Sequence, residues 1–150
     1  MYKKALVAID LSKEEANLVL SRSTALIPDG VRSVVHVVEP QYVQYSFDPT
    51  FTGSMIKALE DEAQRSALRR VEALCEPHGI ATKNQRVAFG HTSTTLKRLI
   101  ADEGYDLLVI GTHGRRGSRF LLGSTANSVL HGTEVDVHAI RITPVEHTKT

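Results

Sequence analysis

These 150 residues contain no tryptophan, one cysteine, five prolines and no apolar stretch long enough to cross a bilayer. A single cysteine excludes a disulfide framework within the chain. Its place inside a helix-like stretch makes Cys75 a small buried hydrophobe rather than a reactive thiol. Charge of one sign is missing too: 18 Lys and Arg face 17 Asp and Glu, a formal +1. No overall field therefore draws the chain toward nucleic acid or anionic lipid, and neither partner is expected. The start, Met1-Tyr2-Lys3-Lys4, runs into apolar residues that stop at Asp10, too short for a signal peptide or a membrane span. The expectation is a cytoplasmic protein. Hydrophobic residues at 41% and charged residues at 23% are ordinary globular composition, and the length suits one domain. That domain is expected over 1–143, with a flexible tail at 144–150.

What is present alternates between two periods. Ala5 to Ile9 (ALVAI), Val31 to Val38 (VRSVVHVV) and Asp106 to Ile110 (DLLVI) are short, nearly continuous apolar runs, the pattern of strands covered on both faces. Thr82 to Phe89 is more polar and reads as a strand near an edge; Val135 to Ile142 (VDVHAIRI) reads as the last strand. Between them lie helical spacings. Glu14 to Leu26 has Ser12 as N-cap and Ala16, Leu20, Ser23 and Ile27 on one face. Ser54 to Glu76 carries a stripe of Ile56, Leu59, Ala63, Ala67, Val71 and Leu74. A third helix follows a cap at Thr92 or Ser93 and faces inward with Leu96, Leu99 and Ile100; Ser124 to Leu130 is a fourth. Glu39 to Gly53 reads as a long loop holding Tyr42, Tyr45, Phe47 and Phe51, a cover for a cleft or a dimer contact. Strands alternating with helices give an α/β fold with a parallel sheet and right-handed crossovers.

In such a sheet, ligands gather beyond the carboxyl ends of the strands, where Asp10, Glu39 and Gly111 stand. The richest segment runs from Gly111 to Thr125: GTHGRRGSRFLLGST. Its glycines let backbone N–H groups approach an anion. Gly123, Ser124 and Thr125 open a helix whose free N–H groups and dipole favour phosphate. Arg115, Arg116 and Arg119 add positive charge. On the residues alone the glycines could be turn makers and Ser124 a plain N-cap. No Gly-Lys-Ser/Thr of a Walker A loop occurs, nor a G-x-G-x-x-G after a strand.

The start through VAIDLS, the HVVE end of the second strand and the segment DLLVIGTHGRRG…LLGSTANSVL together resemble the universal stress protein family over nearly the whole chain. Many members bind ATP through G-x-x-G, nine residues, then G-[ST]. Here Gly111 and Gly114 fit, while eight residues separate Gly114 from Gly123. The resemblance implies an open, twisted five-stranded parallel sheet of order 3-2-1-4-5 with helices on both faces, Rossmann-like and similar to the adenine nucleotide alpha hydrolases. It implies that Ala8, Ile9 and Asp10 border an adenine pocket and that Val37 offers backbone hydrogen bonds to the base. Gly111, Thr112, His113, Gly114 and Arg115 would shape the ribose and phosphate side, with Gly123, Ser124 and Thr125 holding phosphate oxygens. The implied cofactor is ATP, accompanied by Mg2+. A homodimer through Val135 to Ile142 and a further, unidentified protein partner are implied as well.

Seven histidines show no H-x-x-x-H pair and no cysteine partner at zinc spacing, so no dedicated metal site is expected. No catalytic group is assigned either: neither a Ser-His-Asp order nor paired carboxylates at a strand end can be assembled. The leading expectation is a nucleotide-binding, dimeric stress-response regulator, with slow ATP hydrolysis left open. Its alternative is a dimeric interaction module of the same fold that does not bind ATP. A nucleotidyl transferase comes last, because Asp10-Leu11-Ser12 supplies neither H-x-G-H nor S-G-G-x-D-S after the first strand.

Overall fold

The structure is a computed structural model that describes residues 1–39, 49–50, 52–113 and 124–142. The apolar runs form the strands β1 (Lys4–Ala8), β2 (Val31–Val38), β3 (Gln85–Phe89), β4 (Leu107–His113) and β5 (Asp136–Ile142). Between them run the helices α1 (Lys13–Leu26), α2 (Gly53–Cys75), α3 (Thr92–Glu103) and α4 (Ser124–Gly132). The sheet order is β3-β2-β1-β4-β5 and every pairing is parallel. The open five-stranded α/β sheet expected from the sequence is therefore the observed one.

Alternation along the strands divides the interior in two. Ala5, Val7, Val34, Leu107 and Val109 face α1 and α2, joining Ala16, Val19, Leu20, Val71 and Cys75. Leu6, Val35, Leu108 and Ile110 face α3 and α4, joining Leu96, Leu99, Ile100 and Val129. Successive side chains on a strand point to opposite faces, so a strand buried on both must be apolar at every position, as Ala5-Leu6-Val7 is. The crossovers reverse direction between β1 and β4, which opens a crevice at the carboxyl ends of those strands.

Several expectations need correction. β3 starts at Gln85, because Thr82–Asn84 closes a 3-10 turn before it. β4 runs on through Gly111, Thr112 and His113, which pair with Ile140, Arg141 and Ile142 rather than opening a loop. On α2 the buried positions are Ala67, Val71 and Cys75; Leu59 is 43% exposed, so the inward stripe covers only the second half of the helix. Ser12 occupies the N-cap of α1 without a side-chain cap bond. At α3 the N-cap position is His91, not Thr92 or Ser93, and its side chain makes no cap bond. Cys75 is fully buried, and burial pushes its thiol up to about 11 although the Arg32 guanidinium acts in the other direction. The aromatic positions Tyr42, Tyr45, Phe47 and Phe51 lie outside the described residues, as does the tail 144–150.

At the amino ends of the strands, polar groups tie neighbours together. Asp106, just before β4, accepts from the backbone N–H groups of Lys3 at 2.8 Å and Lys4 at 3.1 Å. Lys4 Nζ donates to the Glu103 carbonyl at 2.6 Å and lies 4.5 Å from the Tyr105 ring centre. Tyr2 donates to Asp136 at 2.7 Å. Arg32 Nη1 donates to Thr24 Oγ1 at 2.6 Å and Nη2 to the His78 carbonyl at 3.1 Å, joining β2 to the ends of α1 and α2.

Candidate functional site

A cleft of about 340 Å³ lies over the carboxyl ends of β1, β2 and β4. This is within the usual range of small-molecule sites, about 300–1,000 Å³. Ala8 and Ile9 leave β1 onto opposite faces: Ala8 packs with the α3–α4 core and Ile9 with the α1–α2 core. The cleft thus straddles the sheet edge. Asp10 follows, exposed, with its carboxylate folded back to accept from the Leu11 N–H at 2.7 Å.

β2 supplies the next wall. The Val35 carbonyl accepts from the Ile9 N–H at 3.0 Å, the last rung on the β1 side. Val37, two residues further, aims its own N–H and C=O to that same side, past the end of β1. Its half-buried side chain meanwhile packs with Val35 on the α3–α4 face. Opposite stand Gly111 and Thr112 at the end of β4 and Thr125 in the first turn of α4, all lining the cleft. A Cβ on Gly111 would meet Ile142 at 3.1 Å and Val19 at 3.2 Å. Packing against these two side chains therefore favours glycine there, whatever the cleft holds. The first turn of α4 carries no acidic residue, and its Thr125 and Ala126 line the cleft.

Of the positions expected from the sequence, the structure brings Ala8, Ile9, Asp10, Val37, Gly111, Thr112 and Thr125 around one space. His113 is the last residue of β4 and Ser124 the first of α4. Gly114, Arg115 and Gly123 lie outside the described residues. Several lining residues were not anticipated: Glu15 and Val19 from α1, His36 from β2, Thr92 from α3 and Ile142 from β5. His36 is the most informative of them. Its Nδ1 lies 3.0 Å from the Ile9 carbonyl, which can only accept, so Nδ1 carries the proton of that bond and Nε2 is the ring nitrogen left for other partners. The HVVE string could have pointed to it, since alternation puts His36 and Val37 on opposite faces of one strand end.

Glu39, just beyond β2, reaches across to α3. Its Oε1 accepts from the Thr92 backbone N–H at 3.2 Å and from the Thr92 hydroxyl at 3.0 Å. The N–H first, and then the hydroxyl, hold the Glu39 carboxyl below the usual carboxylate range.

A sheet of this order with a cleft at its switch point is shared with many proteins, so comparison with known sequences decides the family. The model of the universal stress protein family matches residues 1–141. The chain belongs to that family. Universal stress protein A homolog 2 of Coxiella burnetii is 31% identical over 143 residues, covering 94% of this chain and 96% of that one. Among solved structures, hypothetical protein MJ0577 superposes with a TM-score of 0.75 at 20% identity, covering 96% of this chain and 99% of that one. A universal stress protein in complex with cAMP superposes with a TM-score of 0.61 at 18% identity, covering 93% and 97%. At such identities the superpositions establish the shared fold. Among the described residues, no helix of this universal stress protein is long and apolar enough to cross a membrane.

Proposed function

We propose that this universal stress protein binds an adenine nucleotide, ATP with its Mg2+, in the carboxyl-end cleft and acts as a dimeric stress-response regulator. One observation carries the reading: Asp10, Val37, Gly111 and Thr125, from four separate chain segments, converge on a single cleft of about 340 Å³. The rung at Val37, past the end of β1, suits the donor–acceptor edge of a purine, and the start of α4 suits phosphate. The exposed Asp10 carboxylate is placed to meet a Mg2+ that arrives with the nucleotide. A relative of the same fold in complex with cAMP supports the ligand class. Gly114, Arg115 and Gly123 complete the phosphate side in this reading, with Ser124 and Thr125 following them. β5 is an edge strand, paired with β4 on one side, and supports assembly of two copies through Val135 to Ile142. A cytoplasmic place of action and an unidentified protein partner sensitive to the nucleotide belong to the same proposal.

Calorimetric titration of the nucleotide-free chain with Mg-ATP tests it. Micromolar binding is expected, weakened about tenfold by Asp10→Ala, a loss of roughly 1.4 kcal/mol. A hundredfold excess of ligand over Kd adds about 2.7 kcal/mol of stability and raises Tm by about 5–10 °C. No heat with the intact protein overturns the nucleotide reading. That result would leave a dimeric interaction module, for which the short Gly114-to-Gly123 spacing speaks.

A further inference from the structure

Two helices start beside the cleft, and they differ in what meets their first N–H groups. Neither α3 nor α4 has an acidic residue in its own first turn. At α3 the anion comes from elsewhere in the chain: Glu39, 53 residues upstream of Thr92, accepts from both the backbone N–H and the hydroxyl of Thr92. Thr92 itself lines the cleft. A residue on a neighbouring strand end therefore fills the position that a ligand's phosphate would otherwise find at α3, within reach of the same space as α4.

We infer that Glu39 is the specificity-determining residue that sets the direction of the ligand. By occupying the start of α3 with a fixed carboxylate, it excludes phosphate from the β2 side and leaves α4 as the end that accepts anionic groups. The uncharged part of the ligand is thereby directed to the β2 rung at Val37. Two features add to the effect. A carboxylate repels a phosphate by its charge, and Glu15 brings the same sign to the α1 side of the cleft. The inference rests on the nucleotide reading for the identity of the ligand, but the exclusion of anions at α3 is a property of the chain alone.

Amide-resolved NMR of the full chain separates the two, with pyrophosphate as the anionic probe and adenosine as the uncharged one. In the unmodified protein, pyrophosphate should shift the Thr125 and Ala126 amides and leave Thr92 and Ser93 in place. In Glu39→Ala the Thr92 and Ser93 amides should shift as well, with at least a tenfold gain in apparent pyrophosphate affinity at that end. Glu39→Gln keeps the shape without the charge and should fall between the two, which guards against a folding defect in the alanine variant. Thr92 and Ser93 responding equally in all three proteins, or in none, overturns the role of Glu39. Failure of adenosine to bind anywhere in the cleft would instead sink the nucleotide reading, while the pyrophosphate series still decides the inference about Glu39.

Discussion

The two ends of the sheet are built differently. At the amino ends, side chains tie strand starts to one another and to the end of α3: Asp106 holds the backbone of Lys3 and Lys4, Tyr2 holds Asp136, and Arg86 forms a two-pronged pair with Glu103 at 2.5 and 2.7 Å. At the carboxyl ends, the described polar contacts join segments around the rim of an open cleft: His36 to Ile9, Glu39 to Thr92 and Arg70 to the Leu11 carbonyl. The amino ends are thus closed over by their contacts, whereas the carboxyl ends surround a space that a ligand can enter. Such a division follows from the parallel topology, which stacks every strand start at one edge and every strand end at the opposite one.

The comparison can be broken by a change that acts at both levels. Gly111→Val adds atoms where a Cβ already meets Ile142 and Val19 at 3.1–3.2 Å. It should cost about 3 kcal/mol by overpacking, and abolish Mg-ATP heat in calorimetry as well. The amino end should behave otherwise. Arg32→Met removes donors to Thr24 and the His78 carbonyl, and a urea melt should show a loss of about 2 kcal/mol with nucleotide affinity unchanged. The smallest effect should come from Asp106→Asn, about 1 kcal/mol at pH 7.

That last change also carries a pH signature. The Lys3 N–H holds the Asp106 carboxyl below its ordinary value; burial opposes it, and the Lys4 N–H adds a lesser pull in the same direction as Lys3. A lowered folded value means that the stabilisation is present above the ordinary carboxylate range. It is lost as pH falls through the folded value, below about 4. Melts of wild type and Asp106→Asn should accordingly converge in acid, below the ordinary carboxylate range, and separate toward neutrality.

How much of this was legible in the sequence depends on the range of the interactions. The inward face of α1, Ala16, Leu20, Ser23 and Ile27, is buried as its spacing predicts, and so are Leu96, Leu99 and Ile100 of α3. Burial on both faces writes itself into Ala5-Leu6-Val7 and Leu108-Val109-Ile110 as runs with no polar break. Capping was misread for a physical reason. Local rules look for a hydroxyl at the helix start, whereas α3 is met by a carboxylate from Glu39 on another strand. The end of β4 was placed too early because Gly111 and Thr112 look like loop residues, yet β5 lies alongside and completes their ladder. His36 escaped notice because its role depends on the Ile9 carbonyl, 27 positions away. Ala8 and Val37 came from family resemblance, since nothing in their own chemistry singles them out, whereas Asp10 was also marked by its place at a strand end.

The sheet also acts as a partition. Leu6 and Val7 are adjacent in the chain and both fully buried, yet they belong to different cores. The two clusters have no buried residue in common, and perturbations in them that lie more than about 10 Å apart combine additively to within about 0.5 kcal/mol. The protein thus holds two reservoirs of stability that can be drawn down or replenished one at a time, and a sequence drifting in one half incurs no debt in the other.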